Sequence, residues 1–371
     1  MEDEIIEQFK RLVKIDSHSK EEGEIADYLI ELLEEWGLEV TTDRAGRAID
    51  GETGNIIAKL RGTADLPTLL FCAHLDTVIP GENVEPIIKD GVIYSKGDTI
   101  LGSDDKAGIT AILGMLKKIK REDIPHGDIE VVFTIAEEVG LLGAKNLNYD
   151  LLDADLGIIY DSGGPIGTIV TQAPAQDQIN VRVYGKSAHA GLDPSSGVNA
   201  IKVSSIAISN LNLGQIDEET TANIGVIKGG HATNIVPDLV ELEGEARSRD
   251  EEKLKEQINH MTDIFVRAAK QFSAEVEIDV ERMYSAFDLT RDDRSVKLVV
   301  NAAQNLEVEP QLEATGGGSD ANILNGQGIE TVNLGIGMTD VHSTDENIKI
   351  SDLVDAVNYS VEIVKESANL A

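Results

Sequence analysis

Five short clusters in this 371-residue chain carry side chains able to bind a metal or move a proton. His74 and Asp76 stand in HLDT, Asp104 and Asp105 in LGSDDKAG, and Glu137 and Glu138 in AEEVG. Asp161 ends the run LGIIYD, and His342 lies in DVHST. Imidazole nitrogen and carboxylate oxygen suit Zn²⁺ and similar divalent ions. Each cluster alone has an ordinary explanation. A His after a strand more often bonds locally, and paired Glu residues are common on solvated faces. Asp at a helix start is favoured by the helix dipole, and Asp161 could open a turn. Together they carry more weight. Four follow apolar runs that read as strands and the fifth opens a helix, which brings all five to the sheet edge where open α/β folds bind ligands. Three carboxylates gathered there would repel and take up protons unless a cation held them.

The elements that must position these residues are legible as hydrophobic periodicity. Ile5, Phe9, Leu12 and Val13 predict an opening helix, and a second runs from Ser19 or just after to Gly37. LEVTTD, NIIAKL, TLLFCA, IEVVFTIA and LGIIY read as strands, KAGITAILGMLKKIK and GLLGAKNL as helices. Apolar strands alternating with helices predict an α/β catalytic domain with a mixed, partly parallel sheet between helices. Near residue 175 the pattern changes. QINVRVYG alternates like a half-exposed strand, followed by a helix, the strands TANIGVIKGG and LVELEGEARS, a long charged helix and the strand AEVEIDVERM. This β-α-β-β-α-β order predicts an inserted α+β ferredoxin-like domain at 178–284, which makes the catalytic domain discontinuous, 1–177 and 285–371.

Composition removes several function classes. Against 32 Lys and Arg stand 67 Asp and Glu, a formal net charge of −35, which repels nucleic acid and anionic membranes. The single cysteine, Cys72, excludes an internal disulfide and a cysteine zinc knuckle. The start, MEDEIIEQFKRLVKID, lacks the apolar core of a signal peptide, and no run reaches the ~18 apolar residues of a membrane span. A cytoplasmic soluble protein is the expectation.

The order HLDT, LGSDDKAG, AEEVG, a strand ending in Asp161 and a late His342, with GKSAHAG inside the insert, resembles the dinuclear-zinc exopeptidases and deacylases. That family includes peptidase T, glutamate carboxypeptidase, aminoacylase and succinyl-diaminopimelate desuccinylase. LGSDDKAG, YDSGG and GGSDAN are most similar to the peptidase T branch, although the insert and the last helix are shorter. The resemblance covers nearly the whole chain. It implies two Zn²⁺ per chain, with Co²⁺ or Mn²⁺ as alternatives. His74, Asp104, Glu138, Asp161 and His342 would be the ligands, with Asp104 bridging and a cis peptide following it. Asp76 would orient His74 through its second ring nitrogen, and Glu137 would be the general base. His189 would stabilise the oxyanion, and in dimeric relatives it comes from the partner subunit, which implies a homodimer through the inserted domain. Asn234 in TNIVPD and Arg247 in EARSRD match substrate-facing positions. An Arg fork suits a peptide carboxylate; the plainer alternative is an ion pair with Glu245 or Asp250. ATGGGSD lacks the Lys of a phosphate loop and reads as close backbone approach to substrate, with Asp320 capping or orienting.

The function so implied is metal-dependent hydrolysis of short peptides by a peptidase T-like aminopeptidase. A carboxypeptidase or an N-acyl amino acid deacylase would use the same dinuclear site, so the partner is a short peptide or an acyl amino acid. A non-catalytic binding protein is disfavoured by Glu137, since ligands alone suffice to hold metal.

Overall fold

The computed structural model of the protein describes residues 1–370. The chain opens with helices α1 (Glu2–Leu12) and α2 (Gly23–Glu35), then β1 (Glu39–Thr42), α3 (Ala45–Ile49), β2 (Ile56–Leu60) and β3 (Leu69–His74). A hairpin of β4 (Pro86–Lys89) and β5 (Val92–Ser95) precedes α4 (Ser103–Arg121), β6 (Ile129–Thr134), α5 (Leu142–Lys145), β7 (Leu156–Ser162) and β8 (Thr168–Ala173). Next come β9 (Ala175–Tyr184), α6 (Ala200–Asn210), β10 (Gly214–Gln215), β11 (Thr220–Gly229), β12 (Leu239–Ser248), α7 (Glu251–Gln271), β13 (Glu275–Tyr284) and β14 (Phe287–Asp288). The chain ends with α8 (Arg294–Asn305), β15 (Gln311–Ala314), α9 (Asp320–Gly326), β16 (Glu330–Gly335), β17 (Asn347–Lys349) and α10 (Ile350–Glu366).

These elements form two compact units, one of Met1–Thr171, Leu289–Ala314 and Ser319–Ala371, the other of Gln172–Asp288 and Thr315–Gly318. The crossings fall at Thr171/Gln172 and Asp288/Leu289 rather than at 177/178 and 284/285. The reason is pairing: β9 is in antiparallel register with β12 from Ala175 onward, and Phe287 of β14 pairs Ala173.

In the first unit the sheet order is β1-β2-β6-β3-β7-β16-β8. The inner strands β6, β3, β7 and β16 are parallel, and antiparallel β2 and β8 flank them. Every residue of β3 and β6 is buried, as continuous apolar strands between helical layers must be. The one charged residue inside β6, Glu130, is paid for locally: it accepts from the Asp153 and Ala154 amides and pairs with Lys59. Behind the sheet α4 packs on α10. A Cβ built on Gly114 of α4 would lie 2.5 Å from Val357 Cγ2 on α10. Gly114→Ala should therefore destabilise the protein by about 1–3 kcal/mol through overpacking; an unchanged midpoint in chemical unfolding would show that α10 yields. The second unit is a five-stranded antiparallel sheet, β10-β11-β12-β9-β13, backed by α6 and α7, which is the split β-α-β order.

Some local expectations change. α2 starts at Gly23, because the Ser19 hydroxyl bonds Asp76 and Lys20 adopts a positive φ of 77°. GLLGAKNL yields only the single turn α5. The small sheet β17-β5-β4 is too short and polar to show periodicity in the sequence. Among the described residues no helix is long and apolar enough to cross a membrane.

Candidate metal centre

All the expected ligands lie in the first unit, at the carboxyl ends of its parallel strands. His74 is the last residue of β3, Asp161 is in β7, Glu137 and Glu138 follow β6, and Asp104 is in the first turn of α4. His342 sits beyond β16 in a loop, at a positive φ of 62°. The peptide between Asp104 and Asp105 is cis, as the resemblance implies.

His74 Nδ1 lies 2.9 Å from the backbone oxygen of Asp76. That carbonyl can only accept, so Nδ1 carries the proton and Nε2 of the neutral ring is an acceptor. Nε2 nevertheless lies 3.0 Å from Asp104 Oδ1. The second Asp104 oxygen lies 3.2 Å from His342 Nε2, which is also 2.9 Å from Glu138 Oε1. Two acceptors face each other at this distance only with a proton or a cation between them. One carboxylate thus addresses two imidazoles through different oxygens, as a bridging ligand would.

Ligand atoms of His74, Asp104 and Glu138 all lie within 4.8 Å of one another, and so do those of His74, Glu137 and Asp161. These donors fit two hard or borderline divalent ions. The electrostatics of the bare protein agree. Burial, then the neighbouring Asp161 carboxylate, pushes the Glu137 carboxyl well above its ordinary range. Burial and then Asp104 do the same to Asp161. Burial opposes the Asp104 anion, but the hydrogen bonds from His342 and His74 outweigh it and hold Asp104 below the usual range. The same contacts, Asp104 first and then Glu138, raise His342 to about 10.

Asp76 does more than the sequence suggests, and by different atoms. Its backbone carbonyl, not its carboxylate, takes the closer contact to His74; the carboxylate Oδ1 is 3.5 Å from Nδ1. The carboxylate is engaged elsewhere. It accepts from the Glu137 amide at 2.9 Å, the Glu138 amide at 3.2 Å and the Ser19 hydroxyl at 2.6 Å. It therefore clamps the turn that presents both glutamates. Glu22 completes the clamp, since its Oε1 accepts from the amide of Ala136, which has a positive φ of 49°.

Sequence reasoning missed Ser19, Glu22 and Asn333. Asn333 accepts from the Asp161 amide and donates to the Asp161 carbonyl, which fixes the backbone of that ligand. A buried Asn in the otherwise apolar TVNLGIG was the available signal. Asp320 is not the helix cap; Ser319 is. Asp320 instead accepts from Thr134, with its other oxygen buried and unpartnered.

His189, Asn234 and Arg247 lie in the second unit. His189 Nδ1 accepts from the Gly191 and Leu192 amides, so the neutral ring carries its proton on Nε2. Asn234 adjoins it, its carbonyl accepting from the Ala190 amide. Arg247 pairs with Glu245 through Nε at 3.1 Å and Nη2 at 3.0 Å, the ion pair foreseen as its plainer role.

The profile of peptidase family M20/M25/M40 matches residues 70–366, a span that contains every one of these ligands. The chain belongs to this peptidase family. Among solved structures, a tripeptidase from Staphylococcus aureus subsp. aureus Mu50 is 43% identical, with a TM-score of 0.94 over 100% of this chain and 99% of that one. The aminopeptidase PepT from Bacillus cereus ATCC 10987 is 41% identical, with a TM-score of 0.91 over 99% of each chain. Peptidase T of Listeria monocytogenes serotype 4b (strain CLIP80459) is 26% identical over 419 aligned positions, 98% of each chain. At least 419 − 371 = 48 of those positions have no residue in this family member.

Proposed function

We propose that the protein is a dinuclear-metal aminopeptidase acting on short peptides, with zinc as the resident metal. The observation that carries the reading is Asp104, whose two oxygens address His74 and His342 separately beside the clamped Glu137–Glu138 turn. The activities of the S. aureus tripeptidase and the B. cereus aminopeptidase, each above 40% identical, support the choice of substrate class. His74, Asp104, Glu138, Asp161 and His342 would hold two ions. Bound there, the ions would polarise the scissile carbonyl and acidify a water between them.

The chain's own groups do the rest. Glu137 takes the proton of the attacking water and delivers it to the departing amine. Asp76 keeps Glu137 within reach by holding its backbone amide, and the same clamp holds Glu138. His189, with its proton fixed on Nε2, is the oxyanion donor. His189→Ala should lower kcat about 10²–10³-fold, the usual effect of losing one oxyanion donor, with a much smaller change in KM. A kcat equal to wild type would remove His189 from the mechanism.

The reading is tested by hydrolysis of a tripeptide, its constituent dipeptides and an N-acetyl amino acid with Zn²⁺ present. Release from the free amino end is the expected result. Release from the carboxyl end, or cleavage of the acylated compound alone, would make the protein a carboxypeptidase or deacylase.

A further inference from the structure

One buried carboxylate outside the ligand set joins the two segments that carry Asp104 and His342. Glu346 is 1% exposed. Its Oε2 accepts from the amides of Leu101 and Gly102, both at 2.9 Å. Its Oε1 accepts from the amide and hydroxyl of Ser103, both at 2.6 Å, and from the Asp104 amide at 3.1 Å. Four successive amides converge on a single anion because Gly102 adopts a positive φ of 73°, a backbone nest of the kind that binds anions. The other end of the contact is equally constrained. The loop carrying His342 is closed at its neck by reciprocal backbone bonds between Thr339 and Asn347, and Glu346 sits one residue inside that neck.

We propose that Glu346 is a positioning residue for the metal centre, locking the Asp104 turn against the His342 loop so that Asp104 can face both histidines at once. The inference rests on the metal-centre reading above. A helix cap alone would contribute stability, but it would not discriminate between two metal-binding steps. The lock acts on one step more than the other. His74 is held by its strand and by the Asp76 carbonyl, whereas the loop that carries His342 is tied to the Asp104 turn by Glu346.

The test is Co²⁺ binding to the chelated full-length protein, followed by equilibrium dialysis and visible absorption. Wild type should bind two ions in resolvable steps. Glu346→Ala should weaken one step about 10–100-fold, the usual cost of removing a partner that orients a metal ligand, and it should be the same step that His342→Ala weakens. Glu346→Gln keeps the size but offers a single acceptor oxygen, so it should fall between Glu346→Ala and wild type; it carries the test should Glu346→Ala fail to fold. Unchanged steps, or equal weakening of both, would overturn the role of Glu346 and leave the metal centre standing. Wild type binding fewer than two ions would overturn the metal centre and this inference with it.

Discussion

Glu137→Gln should lower kcat about 10²–10⁴-fold, the range for losing a positioned general base, while KM stays close to wild type and both metals stay bound. The substitution keeps the side-chain size and removes only the ability to accept a proton. The two adjacent glutamates must have different duties, and their surroundings assign them. Glu138 Oε1 already lies 2.9 Å from His342 Nε2, where a shared ligand belongs. Glu137 is the more buried of the two, and burial followed by the Asp161 carboxylate raises its carboxyl well above the ordinary range, which strengthens it as a base. Bound cations would draw that carboxyl down toward its ordinary range. Glu137 also lies within ligand distance of His74 and Asp161, and the metal count separates the two duties. Glu138→Gln should lose metal, and Glu137→Gln should lose turnover with the metal in place. The opposite pattern, measured by metal analysis and steady-state kinetics on the same samples, would exchange the two roles.

The difference between these neighbours shows what the sequence could and could not disclose. The parallel core was legible because β3 and β6 are apolar apart from His74, Glu130 and Thr134, and runs of that kind fit only a sheet covered on both faces. The ligands were legible because they are chemically conspicuous where such strands end. Their supports were not. Ser19 reaches Asp76 across 57 residues, Glu22 reaches Ala136 across 114, and Glu346 reaches Ser103 across 243. Each is an ordinary polar residue within its own segment, and only the fold makes it a partner. The misplaced start of α2 has the same origin. Ser19 has the chemistry of a helix cap, and in the folded chain that hydroxyl is committed to Asp76 instead. The split-domain order was readable from alternating strands such as β9, but the crossings were not, since a strand's pairing begins where its partner permits.

Chelation should abolish activity, and rebinding of Zn²⁺ should release protons, so that metal affinity rises with pH. The sign follows from the bare site. Burial raises the carboxyl of the ligand Asp161 well above its ordinary range. His342 is raised from 6.5 to about 10 by Asp104 and Glu138 and carries its proton at neutral pH. Ligation needs ionised carboxylates and neutral imidazoles, so these protons must leave as the ions enter. The metal-free protein should respond in the opposite direction. A group whose pKa is raised by folding stabilises the folded state fully below its unfolded value, and that stabilisation is lost as pH climbs through the folded value. For His342 the window runs from 6.5 to about 10. Across that range the chelated protein should become easier to unfold while its affinity for Zn²⁺ increases, and the stabilisation conferred by added Zn²⁺ should widen. Calorimetry in buffers of different ionisation enthalpy counts the protons directly. Full activity after exhaustive chelation would end the metal reading. Binding with no proton release would mean that the cluster is already ionised and that the short His342 contacts to Asp104 and Glu138 are not held by a proton.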